Sequence, residues 1–284
     1  MNEGIEKAVL ESARLMNEFA LTDKTIAYPG AGLPDREKII RLTEELRSCM
    51  FPGYFGCPAP RQNPFAAGFK LSAIAAGLEK QALAALSACG GKEDAQKRAE
   101  DTVEHFLTEL PNVQRLLATD VEALFDGDPA AISRTDVIFS YPGLFAITIY
   151  RLAHVLYNQN LPLIPRMMTE YAHGQTGIDI NAGAKIGAYF FIDHGTGVVI
   201  GETTEIGDYV KLYQGVTLGA LSTREGQRLS GVKRHPTLGN RVTVYSGASI
   251  LGGETVIGDD CIIGGNAFVT SSVPAGTRVI LKDR

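Results

Sequence analysis

Ile178-Asp-Ile180-Asn-Ala-Gly-Ala-Lys-Ile186-Gly-Ala-Tyr-Phe-Phe-Ile192-Asp-His194-Gly-Thr-Gly-Val-Val-Ile200-Gly-Glu202 reads as a train of six-residue units. Each unit opens on an aliphatic residue that is often followed by Gly. The frame slips by two residues before Ile200 and continues at Ile206, Leu212 and Leu218. It is lost between Ala220 and Thr237, and returns at Leu238, Val244 and Ile250. After a one-residue slip it resumes at Ile257, Ile263 and Val269. A fixed short period of this kind is the mark of a solenoid. One unit cannot bury its own aliphatic residue, but stacked coils can, and three units close one triangular turn. Small residues four places on (Ala184, Thr196, Thr204, Val242, Ala248, Ala267) suit the corners. The Gly after each aliphatic residue is expected to supply backbone angles closed to other residues. Ordinary short strands would show a period of two instead.

Upstream, the apolar spacing is helical. Ile5, Val9, Ala13, Met16 and Ala20 mark a first helix. After a connector at Thr22–Leu33 containing Pro29-Gly30, a second helix is expected, with Pro34 in its first turn. Phe51–Asn63, rich in Pro and Gly, is a loop. A third helix is expected over Phe65–Ala88, ending near Gly90-Gly91. A fourth runs from Lys92 to Glu109, stopping before Pro111, and a fifth over Val113–Phe125. Asp126-Gly-Asp128-Pro129 reads as a stop and a fresh start, with Asp128 as N-cap. Two more helices follow, over Tyr141–Tyr157 and Pro162–Ala172. The expected fold is therefore an N-terminal all-α domain, 1–175, for assembly and capping. A left-handed parallel β-helix, 176–284, follows it, with a long loop near 220–236.

The chain has 284 residues, 45% of them hydrophobic and 21% charged, with a net charge of −5. That balance is globular and argues against non-specific binding to nucleic acid or an anionic membrane. No apolar run is long enough to cross a bilayer, and no signal peptide is visible, so a cytoplasmic protein is expected. The four cysteines have no metal-ligand spacing and read as free thiols.

Of five histidines, His105, His154 and His173 lie in helices and have structural readings. His194 interrupts a repeat unit, and His235 sits where the chain re-enters the solenoid. A solenoid core gains nothing from either. Asp179 lies fifteen residues before His194, which places the two on neighbouring coils near a shared corner. A carboxylate beside an imidazole fixes its tautomer, the arrangement used to deprotonate a hydroxyl.

Gly143-Leu-Phe-Ala-Ile-Thr-Ile-Tyr150-Arg151-Leu-Ala-His154, Asp193-His194-Gly-Thr-Gly197, Gly215-Val-Thr-Leu-Gly219 and Arg234-His235-Pro236 resemble the serine acetyltransferases, a branch of the hexapeptide-repeat acyltransferases. The resemblance covers about Asp120 to Val273. It implies acetyl transfer from acetyl-CoA to the hydroxyl of L-serine, the first step of cysteine biosynthesis, with no metal. It implies His194 as general base with Asp179 as partner, Arg234 and His235 on the substrate carboxylate, and Asp193 with Asp128 on its ammonium. Gly219, Ala220, Ser246 and Gly265 match the coenzyme contacts. The groove of that family forms between subunits, so a trimer is implied, and often a pair of trimers.

Three departures stand out: Asn181 replaces a frequent His, the 221–232 loop is longer than usual, and Leu281-Lys-Asp-Arg284 lacks the Ile-ended tail that docks into cysteine synthase. The last weighs against that partner. The competing readings are another acceptor (homoserine, or a sugar hydroxyl or amine), a γ-type carbonic anhydrase with zinc, and a non-catalytic scaffold. Against the zinc enzyme, no two histidines lie five residues apart.

Overall fold

The computed structural model describes residues 2–26, 32–63, 65–90, 94–222, 224 and 226–280. The Pro29-Gly30 turn, the Gly91 stop, the Lys92 helix start and the chain-end segment 281–284 lie outside the described residues.

Seven helices come first: α1 (Glu3–Thr22), α2 (Arg36–Met50), α3 (Ala66–Gly90), α4 (Ala95–Gly127), α5 (Arg134–Ser140), α6 (Pro142–Asn158) and α7 (Ile164–Thr176). α1 forms where its spacing says, yet buries no residue. α2 starts later than expected. Asp35 caps it by accepting from the Glu37 and Lys38 amides, and Pro34 lies outside. The expected break at Pro111 does not occur, and α4 runs through it as one 33-residue helix. Phe106, Leu110, Val113 and Leu117 on either side of the proline are buried. Their packing outweighs the cost of about 3 kcal/mol for an interior proline. Asp128 is not an N-cap either. It is the residue after α4, and the next helix begins at Arg134 with Ser133 as its cap.

From Asp179 onward, short parallel strands stack in three sheets. Sheet 1 stacks Asp179–Ile180, Val199–Ile200, Thr217–Gly219, Ser249–Leu251 and Phe268–Val269. Sheet 2 stacks Lys185–Ile186, Glu205–Ile206, Thr237–Leu238 and Val256–Ile257. Sheet 3 stacks Phe191–Ile192, Lys211–Leu212, Thr243–Val244, Ile262–Ile263 and Arg278–Val279. The register confirms the period and its slips. Asp179 pairs with Val199 and Val199 with Thr217, so the first turn carries the two extra residues and the second has the regular eighteen. Thr217 pairs with Ser249 across the long excursion.

The residue just before most of the strands fills a corner: Ala184, Phe190, Val198, Thr204, Val210, Val216, Val242, Ala248, Cys261 and Ala267 are all buried. Thr196, expected among them, is exposed, because the two-residue slip hands its place to Val198. The glycines after the aliphatic residues serve a different purpose from the one expected. A Cβ on Gly187 would sit 2.7 Å from the backbone of Gly207, and one on Gly239 2.9 Å from the Asp259 amide, so coil-to-coil approach demands their size. The left-handed backbone falls instead on Tyr189, Tyr209, Arg241 and Asp260, with φ of 56–59°.

The two halves share one core. The Tyr150 hydroxyl donates to the Ala184 carbonyl, and a Cβ on Gly143 would meet the Ile192 carbonyl oxygen at 2.3 Å. Buried Arg151 on α6 forks onto buried Asp120 of α4 at 2.6 and 2.8 Å, and also donates to the Ile186 and Gly187 carbonyls. Asp120 accepts the Phe190 amide as well. Burial pushes the Asp120 carboxyl up, and the guanidinium opposes it. Replacing Arg151 by Ala strands a buried acid and two carbonyls. A loss of about 3–5 kcal/mol is expected in urea unfolding followed by circular dichroism.

Candidate functional site

The triangular cross-section sorts the sequence-predicted residues into two groups. Asp193, His194, Ser246 and Gly265 lie at the corner between sheets 3 and 1. Gly219, Ala220, Arg234 and His235 lie at the corner between sheets 1 and 2, where the long excursion leaves and returns. One six-residue side, at about 3.3 Å per residue, separates the two corners by about 20 Å.

At the first corner His194 has a left-handed backbone, φ 54°, and its side chain is 71% exposed. Its Nε2 lies 3.6 Å from Asp193 Oδ2. Asp128, projecting from the end of α4, faces the same place. Its Oδ1 accepts the Ala130 amide at 2.8 Å and its Oδ2 accepts the Tyr141 hydroxyl at 2.5 Å. The Tyr141 bond, the Ala130 amide and the charge of His194 hold the Asp128 carboxyl below the usual range. Tyr213 and Tyr245 stack on successive coils above Asp193 with ring centroids 5.2 Å apart. Burial raises the Tyr213 pKa, and Tyr245, Asp193 and Asp128 add to it. Ser246 and Gly265 adjoin one another, since a Cβ on Gly265 would be 3.2 Å from the Ser246 carbonyl oxygen.

Asp179 is on the coil next to His194, as the spacing requires. A Cβ on Gly195 would come within 2.4 Å of Ile178 Cδ1, so the neighbours of both residues pack together. The expected imidazole–carboxylate contact is not made within one chain, however. No hydrogen bond or ion pair joins the two among the described residues. The left-handed turn at His194 sets its ring beside Asp193 instead. The Asp179 carboxylate groups with Glu170 and His173 of α7, their ligand atoms all within 4.8 Å of one another.

At the second corner, a salt bridge to Glu202 and two backbone carbonyls, Leu229 and Val232, fix the Arg234 guanidinium. Burial works to raise the Glu202 carboxyl, but Arg234 and the Tyr157 hydroxyl outweigh it and hold it low. The His235 ring lies against Gly201, where a Cβ would come within 2.2 Å of Nε2. Its Nδ1 accepts the Thr203 amide at 3.1 Å, so that nitrogen carries no proton and the neutral ring presents an Nε2–H. Burial, then the charge of Arg234, lower its pKa to about 4. At the inner end of sheet 1, a Cβ on Gly219 would meet Leu251 Cδ2 at 2.9 Å, and Ala220 follows half-buried.

Repeat spacing pointed to Asp179, His194 and His235, and the family resemblance to the other groups at the two corners, but neither pointed to their holders. Tyr141, Glu202 and Thr203 come from distant segments and carry no pattern of their own. His105 is exposed, and His154 donates from Nδ1 to the Ala182 carbonyl, 2.7 Å away, in keeping with structural roles.

A three-sided solenoid of six-residue sides, joined to a helical half and bearing an imidazole among carboxylates at one corner, defines a hexapeptide-repeat acyltransferase. No protein-family model matches the chain. The plasmid serine acetyltransferase of Synechococcus elongatus is 44% identical over 263 residues, 88% of this chain and 81% of that protein. The serine acetyltransferase of Helicobacter pylori is 48% identical over 175 residues, 59% of this chain and 98% of that one. Among solved structures, serine acetyltransferase isoform 3 of Entamoeba histolytica, in complex with cysteine, superposes with a TM-score of 0.75 at 31% identity, covering 96% of this chain and 92% of that one. The chain belongs to the serine acetyltransferase family, and its solenoid is the left-handed parallel β-helix.

Because folded His235 holds a proton less readily than an unfolded histidine of ordinary pKa 6.5, the unfolded chain carries the extra proton between that value and about 4. Stability is therefore expected to fall as pH drops through this window. Unfolding free energies at pH 7 and pH 5 should differ less in His235→Gln than in the unsubstituted protein.

Proposed function

We propose that the His194 corner of one copy and the Arg234 corner of the next form one site, which binds L-serine and acetyl-CoA together. The enzyme makes O-acetyl-L-serine, an activated serine for cysteine biosynthesis. The observation that carries the shared site is the separation across sheet 1. A serine molecule is far too small to reach both the carboxylates at one corner and the guanidinium at the other. The coenzyme set is divided in the same way, Ser246 and Gly265 on one side and Gly219 and Ala220 on the other. Above Asp179 the outward residues of sheet 1 are uncharged (Val199, Thr217, Ser249, Phe268), which suits a surface that meets another copy. Three such seams close a trimer, with residues 1–175 as the assembly and capping unit.

In this reading Asp128 and Asp193 take the serine ammonium, and Arg234 takes its carboxylate. His194 takes the hydroxyl proton as the oxygen attacks the thioester carbon, and returns it to the departing thiolate. Asp179, on the adjoining coil, stabilises the imidazolium once the ring turns toward it. The neutral His235 has an Nε2–H that makes no hydrogen bond among the described residues, a donor suited to the oxyanion that forms on the carbonyl oxygen. Gly219, Ala220, Ser246 and Gly265 leave a narrow channel for pantetheine.

His194→Ala is expected to lower kcat by about 10²–10⁴. Thiol release from acetyl-CoA, with serine present and absent, measures it, and near-normal serine-dependent turnover would dismiss the base. The shared site has its own test. His194→Ala and Arg234→Ala chains, each inactive alone, should regain activity when unfolded and refolded together, because about a quarter of seams in a random trimer pair two intact corners. A mixture no more active than its parts would place the whole site within one chain.

A further inference from the structure

Asp128 has a second support that the reading above does not use. Its Oδ1 is committed to the Ala130 amide, which fixes the carboxylate plane just past the end of α4. Its Oδ2 is met by the Tyr141 hydroxyl at 2.5 Å, a charge-assisted bond of the strong kind. Tyr141 occupies the N-cap position of α6 but makes no side-chain capping bond, so its hydroxyl is not spent on the helix. Two residues on, Gly143 lies against the Ile192 carbonyl, and Ile192 precedes Asp193. The start of α6 is thus pinned to the coil that carries Asp193 and His194. Burial raises the Tyr141 pKa, and the Asp128 bond and the charges of Asp128, Asp136 and Asp193 raise it further, so at neutral pH the hydroxyl keeps its proton and can only donate toward Asp128.

We infer that Tyr141 is a positioning residue for serine binding: its hydroxyl holds the Asp128 carboxylate aimed at the place shared with Asp193 and His194. The inference rests on the reading that Asp128 and Asp193 receive the serine ammonium. Two carboxylates facing one small volume repel each other, which would turn a loosely held one away from the other. A donor on Asp128 fixes its direction against that repulsion, so both carboxylates can face a single cation. The same bond ties the end of α4 to the start of α6, two segments that would otherwise set the acid's direction independently.

The test uses the full-length protein. Tyr141→Phe should raise KM for serine about ten- to hundredfold, with kcat within about threefold and KM for acetyl-CoA unchanged. Asp128→Asn should raise KM for serine too, and adding Tyr141→Phe to it should cost little more, since the two act through one contact. A normal serine KM in Tyr141→Phe beside a raised one in Asp128→Asn overturns the inference alone. A normal serine KM in Asp128→Asn overturns the ammonium reading and the inference with it. Equal losses for both substrates would mean a structural role and overturn the inference as well. Should the Phe variant fold poorly, para-fluorophenylalanine at 141 keeps the para substituent without a donor, and para-aminophenylalanine restores one. A serine KM raised by the first and rescued by the second supports the inference, and equal values for the two overturn it.

Discussion

The buried fork between Arg151 and Asp120 holds the molecule in one piece. It joins α4 to α6 and both to the first coil, through the Ile186 and Gly187 carbonyls and the Phe190 amide. The polar partners in that cluster come from three segments, α4, α6 and the first coil, so none of the three can move without leaving a buried group unmatched. Asp128, eight residues beyond Asp120, caps the end of the helix so fixed, and Tyr141 is ten residues before Arg151. The ion pair therefore sets where the helical half meets the solenoid corner that carries His194.

The corner itself follows from coil geometry. Sides of a β-helix are short and their outward residues alternate, so they offer little depth. Depth comes at corners, where the backbone turns and residues project. One corner gains acids from Asp193 and from α4. The other gains Arg234 and His235 because the chain leaves the frame at Ala220 and must re-enter it at Thr237. On re-entry, Thr203 accepts both the Arg234 and His235 amides through its hydroxyl oxygen, and its own amide reaches the His235 ring. The excursion thus ends on one anchor, and the Arg234 and His235 side chains are set by it.

The six-residue period was plain in the sequence, because burying the aliphatic residue is its sole requirement. The frame from Ile180 to Val269 is the frame of the strands. Its small deviations were harder to read. Thr196 looked like a corner residue because a two-residue slip cannot be assigned to one side of the residue by counting. The glycines looked like φ specialists, although what they provide is room for the next coil. Pro111 looked like a stop because local propensity carries no knowledge of Phe106, Leu110 and Leu117 packing around it. The candidate site was legible where a residue broke the repeat, as with Asp193 and His194, or where the chain re-enters it, as with Arg234 and His235. Spacing put Asp179 on the right coil but could not tell which way the His194 ring would face. Tyr141 and Glu202 could not be read at all, because each is defined by a partner in a distant segment.

The width of sheet 1 has a thermodynamic corollary. On the proposed seam an isolated chain is half a catalyst, so turnover per chain falls on dilution below the concentration at which copies dissociate. Serine bridging the seam binds only the assembled form and so shifts that equilibrium toward assembly. The amino acid would then act as its own assembly factor, and the concentration of enzyme needed for full activity would drop as its substrate accumulates.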